Sequence, residues 1–301
     1  VPGEAPAILP TPLGPAVALV CLEGLEREFV EAEAARGADL VLVTVKSAAS
    51  QEAAQALSPH LNQRVPVISF QNGIYNAEVL QKLLPNHPVL AGMVPFNVID
   101  RGQGAFHQGS QGTLEVQAGG LSDAVRELFS NAKLDLLEHA DMRAVQWGKL
   151  LLNLNNPVNA LSGIPLKEEL SQRDYRRCVG LALNEALQIM KAAGIAPAKV
   201  TAVPPGWLPF LMDTPDWLFT RAAKKLLAID PLARSSMWED LELGRPTEID
   251  WINGEVVRLA ETVGMRAPVN ARLIALIREA ERGGPRRWVG ADLLLQLQAA
   301  Q

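Results

Sequence analysis

Cysteine is nearly absent from this 301-residue chain, at two residues, aromatic residues are only 5%, and positive charge is outnumbered, with 28 Lys and Arg against 33 Asp and Glu. Cys21 and Cys178 stand far apart and form no CxxC pair, which excludes a disulfide framework and a cysteine zinc centre. So little cysteine fits the reducing cytoplasm. His60, His87, His107 and His139 are scattered without HxxxH or HxxEH spacing, so no metal site is expected. A formal net charge of -5 removes the electrostatic footprint by which proteins hold nucleic acid or an anionic membrane surface. No apolar run approaches the roughly 20 residues of a membrane-spanning helix, and Val1-Pro2-Gly3-Glu4 lacks the basic opening of a signal peptide.

Apolar material, by contrast, is ample: 48% of residues are hydrophobic, enough for a large core. Single cores stop growing near roughly 250–300 residues, so the length favours two domains. The first sixteen residues are a loose series of Pro, Gly and Ala that reads as a linker or a cut end. From Ala38 the run Asp39-Leu40-Val41-Leu42-Val43-Thr44-Val45-Lys46 is a strand buried on both faces. A helical stretch at about 49–57 follows, then Val65–Phe70 as a strand closing on Gln71-Asn72-Gly73, a helix near 77–84, and a strand at Val89–Val94. This alternation, continued by a strand at 113–116, a helix from Ser122 and a strand at 134–137, predicts a doubly wound, mostly parallel Rossmann-like sheet over residues 1–140. Downstream the hydrophobic period becomes 3.6 and stays there, so residues 141–301 form an all-α domain. Its helices include one ending at Gly194 and others at about 206–229, 231–243, 247–264 and 268–282, with Thr247-x-x-Asp250 as a capping box.

Ligands of open α/β sheets bind beyond the carboxyl ends of the strands, where Lys46 and Asn72-Gly73 fall. A solvated lysine and a turn chosen for positive φ would leave the same trace. Trp147-Gly148-Lys149 and the following Leu150–Asn156 are more specific, because Lys149, Asn153 and Asn156 fall along one helical stripe set among leucines. A lysine at the rim of an apolar pocket loses hydration, its pKa falls, and it can give a proton to a developing alkoxide. Alternatively Lys149 snorkels to water while the asparagines cap the helix before Pro157. A third cluster runs from Arg234-Ser235-Ser236-Met237 to Thr247-Glu248-Ile249-Asp250-Trp251-Ile252-Asn253-Gly254, where Glu248 also suits a helix N-terminus for purely electrostatic reasons.

Taken in order and spacing, Val43-Thr44-Val45-Lys46-Ser47, Gln71-Asn72-Gly73, Gly148–Asn153, Ser235-Ser236-Met237 and Thr247–Gly254 resemble the ketopantoate reductase (2-dehydropantoate 2-reductase) family over about residues 38–282. The resemblance implies an NADPH-dependent oxidoreductase of pantothenate biosynthesis acting on a 2-oxo acid, as a homodimer with a nucleotide-binding and a helical domain. Lys149 is then the general acid, Glu248 holds the substrate hydroxyl, and Asn72, Asn153 and Ser236 hydrogen-bond substrate. Lys46 and Asn72 lie beside the cofactor, and both face the cleft that holds Lys149. The family's opening strand and GxGxxG turn have no counterpart in the 301 residues, since Gly102-Gln103-Gly104 lacks the third glycine. The expectation is a chain without its natural beginning, or one remodelled there. A non-catalytic remnant, serving as a helical dimerisation or small-molecule-binding module, is the alternative. Met93–Asn97 and Phe106–Gly109 point to a family branch whose substrate is another branched 2-oxo acid.

Overall fold

The computed structural model describes residues 17–20, 35–62, 64–96, 98–100, 106–108, 112–222 and 231–301. By its contacts the chain divides into two units, Val1–Gln146 and Trp147–Gln301.

The first unit is built on strands β1 (Val17–Val20), β2 (Leu40–Val43), β3 (Val67–Ser69), β4 (Val89–Met93), β5 (Val98–Asp100), β6 (Phe106–Gln108), β7 (Leu114–Gln117) and β8 (Leu136–His139). Six form one sheet in the order β1-β2-β3-β4-β7-β8, and β5 and β6 pair as a separate antiparallel ribbon. Every pairing in the large sheet is parallel except β4 with β7. The doubly wound expectation therefore holds, with one antiparallel step. The strand at Val17–Val20 was not foreseen, because it directly follows the Pro, Gly and Ala series read as a linker.

Side chains of successive strand residues point to opposite faces, and both faces of this sheet are filled. Val41, Val43 and Val67 pack with Ala53, Ala54 and Leu57 of α1 (Ser50–Leu57) and with Leu80 of α2 (Asn76–Leu83). On the other face Leu40, Ile68, Leu90, Leu114 and Val116 meet Val125 and Phe129 of α3 (Asp123–Asn131). Each such Val, Leu, Ile or Phe side chain taken fully out of water contributes about 1.5–3 kcal/mol. The start of α3 follows from Ser122, whose hydroxyl accepts from the Val125 N–H at 3.4 Å.

The second unit contains helices only among the described residues. They are α4 (Met142–Asn153, which begins in the first unit), α5 (Asn156–Ser162), α6 (Leu166–Ser171), α7 (Arg173–Ala192), α8 (Leu208–Asp213), α9 (Asp216–Ala222), α10 (Ser236–Glu242), α11 (Ile249–Thr262), α12 (Pro268–Glu281) and α13 (Gly290–Gln298). The spine is α7, which buries Tyr175, Cys178, Val179, Ala182, Leu183, Ala186, Ile189 and Met190 at helical spacing. It ends just before Gly194, whose φ of +71° is the left-handed conformation that closes a helix cheaply only for glycine. Arg176 on the same helix is fully buried, donates to the carbonyls of Leu170 and Thr214 at 2.9 and 2.7 Å, and lies 4.2 Å over the Phe219 ring.

Three local expectations are corrected. The helix foreseen at 206–229 is broken at Thr214-Pro215, because proline cannot donate into the preceding turn, and its tail at 223–230 lies outside the described residues. Thr247 and Asp250 form no capping box. Glu248 occupies the N-cap of α11, while Thr247 donates its hydroxyl to Glu281 at 2.8 Å and Asp250 pairs with Arg278. Finally, α4 stops at Asn153 and Asn156 opens α5, so the polar stripe holds Lys149 and Asn153 but not Asn156. Asn97, Gly102–Gly104 and Gly109 lie outside the described residues.

Candidate active site

In the first unit Lys46 follows β2 and precedes a single 3-10 turn, Ser47–Ala49, while Asn72 follows β3 and precedes Gly73 at φ +89°. Both side chains are half-buried. What holds their two loops together is a buried network of uncharged groups. Gln71 Nε2 donates to the Val45 carbonyl at 2.9 Å and to Ser50 Oγ at 2.7 Å, and its Oε1 accepts from Ser69 Oγ at 2.9 Å. Ser50 Oγ donates to Asn76 Oδ1 at 2.9 Å, Asn76 Nδ2 donates to Ser47 Oγ at 3.0 Å, and Ser47 Oγ donates to the Asn72 carbonyl at 2.9 Å. A buried polar group left unmade costs about 1–3 kcal/mol, so this closed set fixes the relative position of the two strand ends. An ammonium and an amide displayed on so rigid a frame suit the anionic and amide parts of a nicotinamide dinucleotide. The backbone cradle that a GxGxxG turn supplies has no matching sequence in the chain.

Lys149 lies on α4 in the second unit, and burial pushes its ammonium down to about pH 8, against the nearby Glu248 carboxylate, which pulls the other way. Two leucines, Leu150 and Leu151, are buried beside it. The preceding Gly148 explains part of the burial, because a Cβ there would meet the Ala198 carbonyl at 2.5 Å. Only glycine lets the 198–200 segment lie this close to α4. Asn153, one turn on from Lys149, is half-buried at the end of the helix. Glu248 sits at the head of α11 without capping it through its side chain. Removing that side chain from cap duty leaves its carboxylate to act on Lys149.

Ser235 and Ser236 divide their labour. Ser235 is buried, is the N-cap of α10, and accepts from the Trp238 N–H at 3.2 Å while donating to the Asn156 carbonyl at 3.3 Å. Ser236 is the first residue of the helix and is exposed. Lys149 and Glu248 thus act on one another within one unit, and Ser236 is set by a tie to α5.

Sequence reasoning missed two sets of polar contacts, although Ser47 and Gln71 fall within the family-like motifs. Ser47, Ser50, Ser69, Gln71 and Asn76 left a faint trace, as hydroxyls and amides clustered after two consecutive strand ends. Glu169 and Asn159, joined at 2.7 Å and both fully buried, left none, because Lys167-Glu168-Glu169 looks like any solvated charge run.

Comparison with known proteins gives a consistent outcome. Residues 23–120 match the family model described as ketopantoate reductase PanE/ApbA, and residues 141–281 match the model of its C-terminal part. The 2-dehydropantoate 2-reductase of Vibrio cholerae is 27% identical over 250 residues, 81% of this chain and 78% of that protein. A crystal structure of a PanE/ApbA family ketopantoate reductase from Ralstonia eutropha superposes with a TM-score of 0.72 at 26% identity, covering 89% of this chain and 86% of that one. D-mandelate dehydrogenase, solved with NADH and anilino(oxo)acetate, shares the fold at 19% identity and a TM-score of 0.66, over 81% of this chain and 77% of that one.

Proposed function

Because the chain belongs to the ketopantoate reductase family, we propose that it is an NADPH-dependent oxidoreductase that reduces 2-dehydropantoate, or a related branched 2-oxo acid, to the 2-hydroxy acid. The observation that carries this reading is Lys149: an ammonium whose proton has become labile near neutral pH, next to a carboxylate that keeps it charged. Reduction of a ketone builds negative charge on oxygen, and a positioned ammonium both stabilises that charge and supplies the proton. Bound NADPH would supply the hydride. Two opposed effects set Lys149 where a general acid works best, since desolvation loosens the proton and Glu248 prevents its loss at pH 7. Glu248, Asn153 and Ser236 supply acceptors and donors for the substrate's hydroxyl and carboxylate, while Lys46 and Asn72 attend the cofactor.

In this reading residues 1–140 hold the nucleotide and residues 141–301 bind substrate and form a homodimer, in the cytoplasm. The exposed Trp207, Phe210 and Trp217 of the second unit support an oligomeric face. The deciding experiment follows NADPH oxidation with 2-dehydropantoate and a panel of branched 2-oxo acids, alongside quenching of the six tryptophans by NADPH. Saturable quenching with turnover of at least one of these acids is expected. Quenching without turnover on any of them refutes the substrate class, and no quenching at all favours the non-catalytic remnant.

A further inference from the structure

Behind Ser236 runs a buried polar chain that the proposed chemistry does not use. Glu169 on α6 has none of its surface exposed, Asn159 Nδ2 donates to its Oε2 at 2.7 Å, and the Asn155 amide acts on its carboxyl group more weakly. Its Oε1 has no partner among the described residues, and neither has Asn155 Oδ1. Asn155 occupies the N-cap of α5 yet makes no capping bond with its side chain. Asn159, equally buried, turns its Oδ1 the other way and accepts from the Ser235 backbone N–H at 2.9 Å, while its Nδ2 also donates to the Ile164 carbonyl at 3.0 Å. The path Glu169, Asn159, Ser235 therefore runs from the core of the unit to the residue just before Ser236.

The groups acting on Glu169 are neutral amides. On α7 the titratable neighbours are Tyr175 and Cys178, both pushed up in part by Glu169 itself, with Asp174 and Arg177 also acting on Cys178, while the buried Arg176 directs its guanidinium to the Leu170 and Thr214 carbonyls and to Asp216. Lys167 and Glu168 are its neighbours on α6, and the nearest charged groups on α9 are Arg221 and Asp216, the latter engaged by the buried Arg176. An ionised carboxylate here would be a buried charge on which no cation among the described residues acts, with one oxygen unbonded, the arrangement least tolerated in a protein interior. Burial accordingly pushes Glu169 up to about 8.

We propose that Glu169 is held as a neutral acid and, through Asn159, is the positioning residue that sets the Ser235–Ser236 backbone and with it the hydroxyl edge of the substrate site. Its bearing on substrate rests on the reductase reading; its protonation and its hold on α10 do not.

Glu169→Gln keeps the shape and an oxygen to accept from Asn159 Nδ2 but cannot ionise. The native acid lies above its ordinary value of 4.5, so the folded chain binds one more proton than the unfolded chain between pH 4.5 and about 8. Wild-type stability must fall as pH rises through that window and level beyond it, a loss Glu169→Gln escapes. Its Tm advantage over wild type should widen from pH 4.5 to 8, and parallel curves overturn the neutral acid. Glu169→Leu should speed amide exchange in the first turn of α10 about tenfold, by unpairing Asn159, with Glu169→Gln restoring protection; unchanged exchange overturns the positioning role, and Asn159→Ser serves the same arm if Glu169→Leu does not fold. With a 2-oxo acid that the wild type reduces, KM should rise about tenfold in Glu169→Leu with kcat within about threefold. A chain that turns over none of these acids refutes the reductase reading alone, since the stability and exchange arms still decide the fate of Glu169.

Discussion

The two units solve the problem of presenting polar groups in opposite ways. At the ends of β2 and β3, five neutral side chains satisfy one another, so Lys46 and Asn72 stand on a frame in which no charge is buried. In the helical unit the titratable groups themselves go inside: Lys149 is desolvated, Glu169 is fully buried, and Glu255 is nearly so and pushed up by its burial. A neutral frame holds position at every pH. Buried titratable groups hold reactivity, at the cost of stability that depends on pH. The difference suits a division in which one unit grips a ligand and the other moves a proton.

The strongest way to break this contrast is Lys149→Ala. Loss of a general acid should lower kcat by about 10² to 10⁴ with KM changing less, whereas a merely snorkelling lysine would leave kcat within a few-fold. In the wild type the rate should fall as pH rises through about 8, where the ammonium loses its proton, and that limb should vanish in the variant. Stability has its own sign. A lysine whose native pKa is depressed binds fewer protons folded than unfolded between about 8 and 10.5, so the destabilisation it causes at pH 7 is relieved as pH climbs through that range. Lys149→Met should therefore raise Tm at pH 7 while abolishing turnover. A variant that is both inactive and less stable would argue for a structural lysine.

Next in size is Glu248→Ala, expected to raise KM about 10- to 100-fold through a lost charge-assisted hydrogen bond. Removing the carboxylate also removes what holds the ammonium of Lys149 charged, so the alkaline limb should move to lower pH. A limb that stays in place would show that the two side chains do not work on each other in solution.

The neutral frame of the first unit is tested by Gln71→Leu, which strips partners from the Val45 carbonyl, Ser50 and Ser69 at once. The expected cost is about 1–3 kcal/mol, or roughly 2–8 °C in Tm. A weaker NADPH titration should accompany it, with the pH profile of turnover unmoved. A displaced profile would mean that the frame does more than hold position.

How far the sequence spoke depends on which physical signal each feature leaves. Strands β2, β3 and β4 were readable because a strand buried on both faces must be apolar throughout, and Gly194 marked the end of α7 because few residues accept positive φ there. Lys149 and Asn153 could be singled out as polar residues at odds with a leucine-rich helix, whereas Glu248, an acid that suits a helix N-terminus, stood out only through the family resemblance. The capping box failed because a distant acid, Glu281, competes for the Thr247 hydroxyl, and no local pattern records a partner so far along the chain. Glu169 failed for the same reason in a sharper form, since burial of an acid is decided by the helices folded over it.

The smallest expected effect separates two adjacent serines that the sequence treats alike. Ser235 is a buried N-cap whose oxygen serves Trp238 and Asn156, so Ser235→Ala should cost about 1 kcal/mol of stability, the usual price of a lost cap. Ser236 is exposed on the same turn, and its hydroxyl is free of cap duty. Ser236→Ala should leave Tm within about 1 °C, because exposed substitutions away from caps and cores move stability little. If its hydroxyl meets substrate, KM should rise about two- to fivefold with kcat nearly constant, the signature of binding lost equally from ground and transition states. Equal KM values for the two variants would reduce Ser236 to a bystander and leave the substrate edge to Asn153 and Glu248. A change in kcat rather than KM would instead place Ser236 against the reacting oxygen, a role nearer to that of Lys149 than its exposed position suggests.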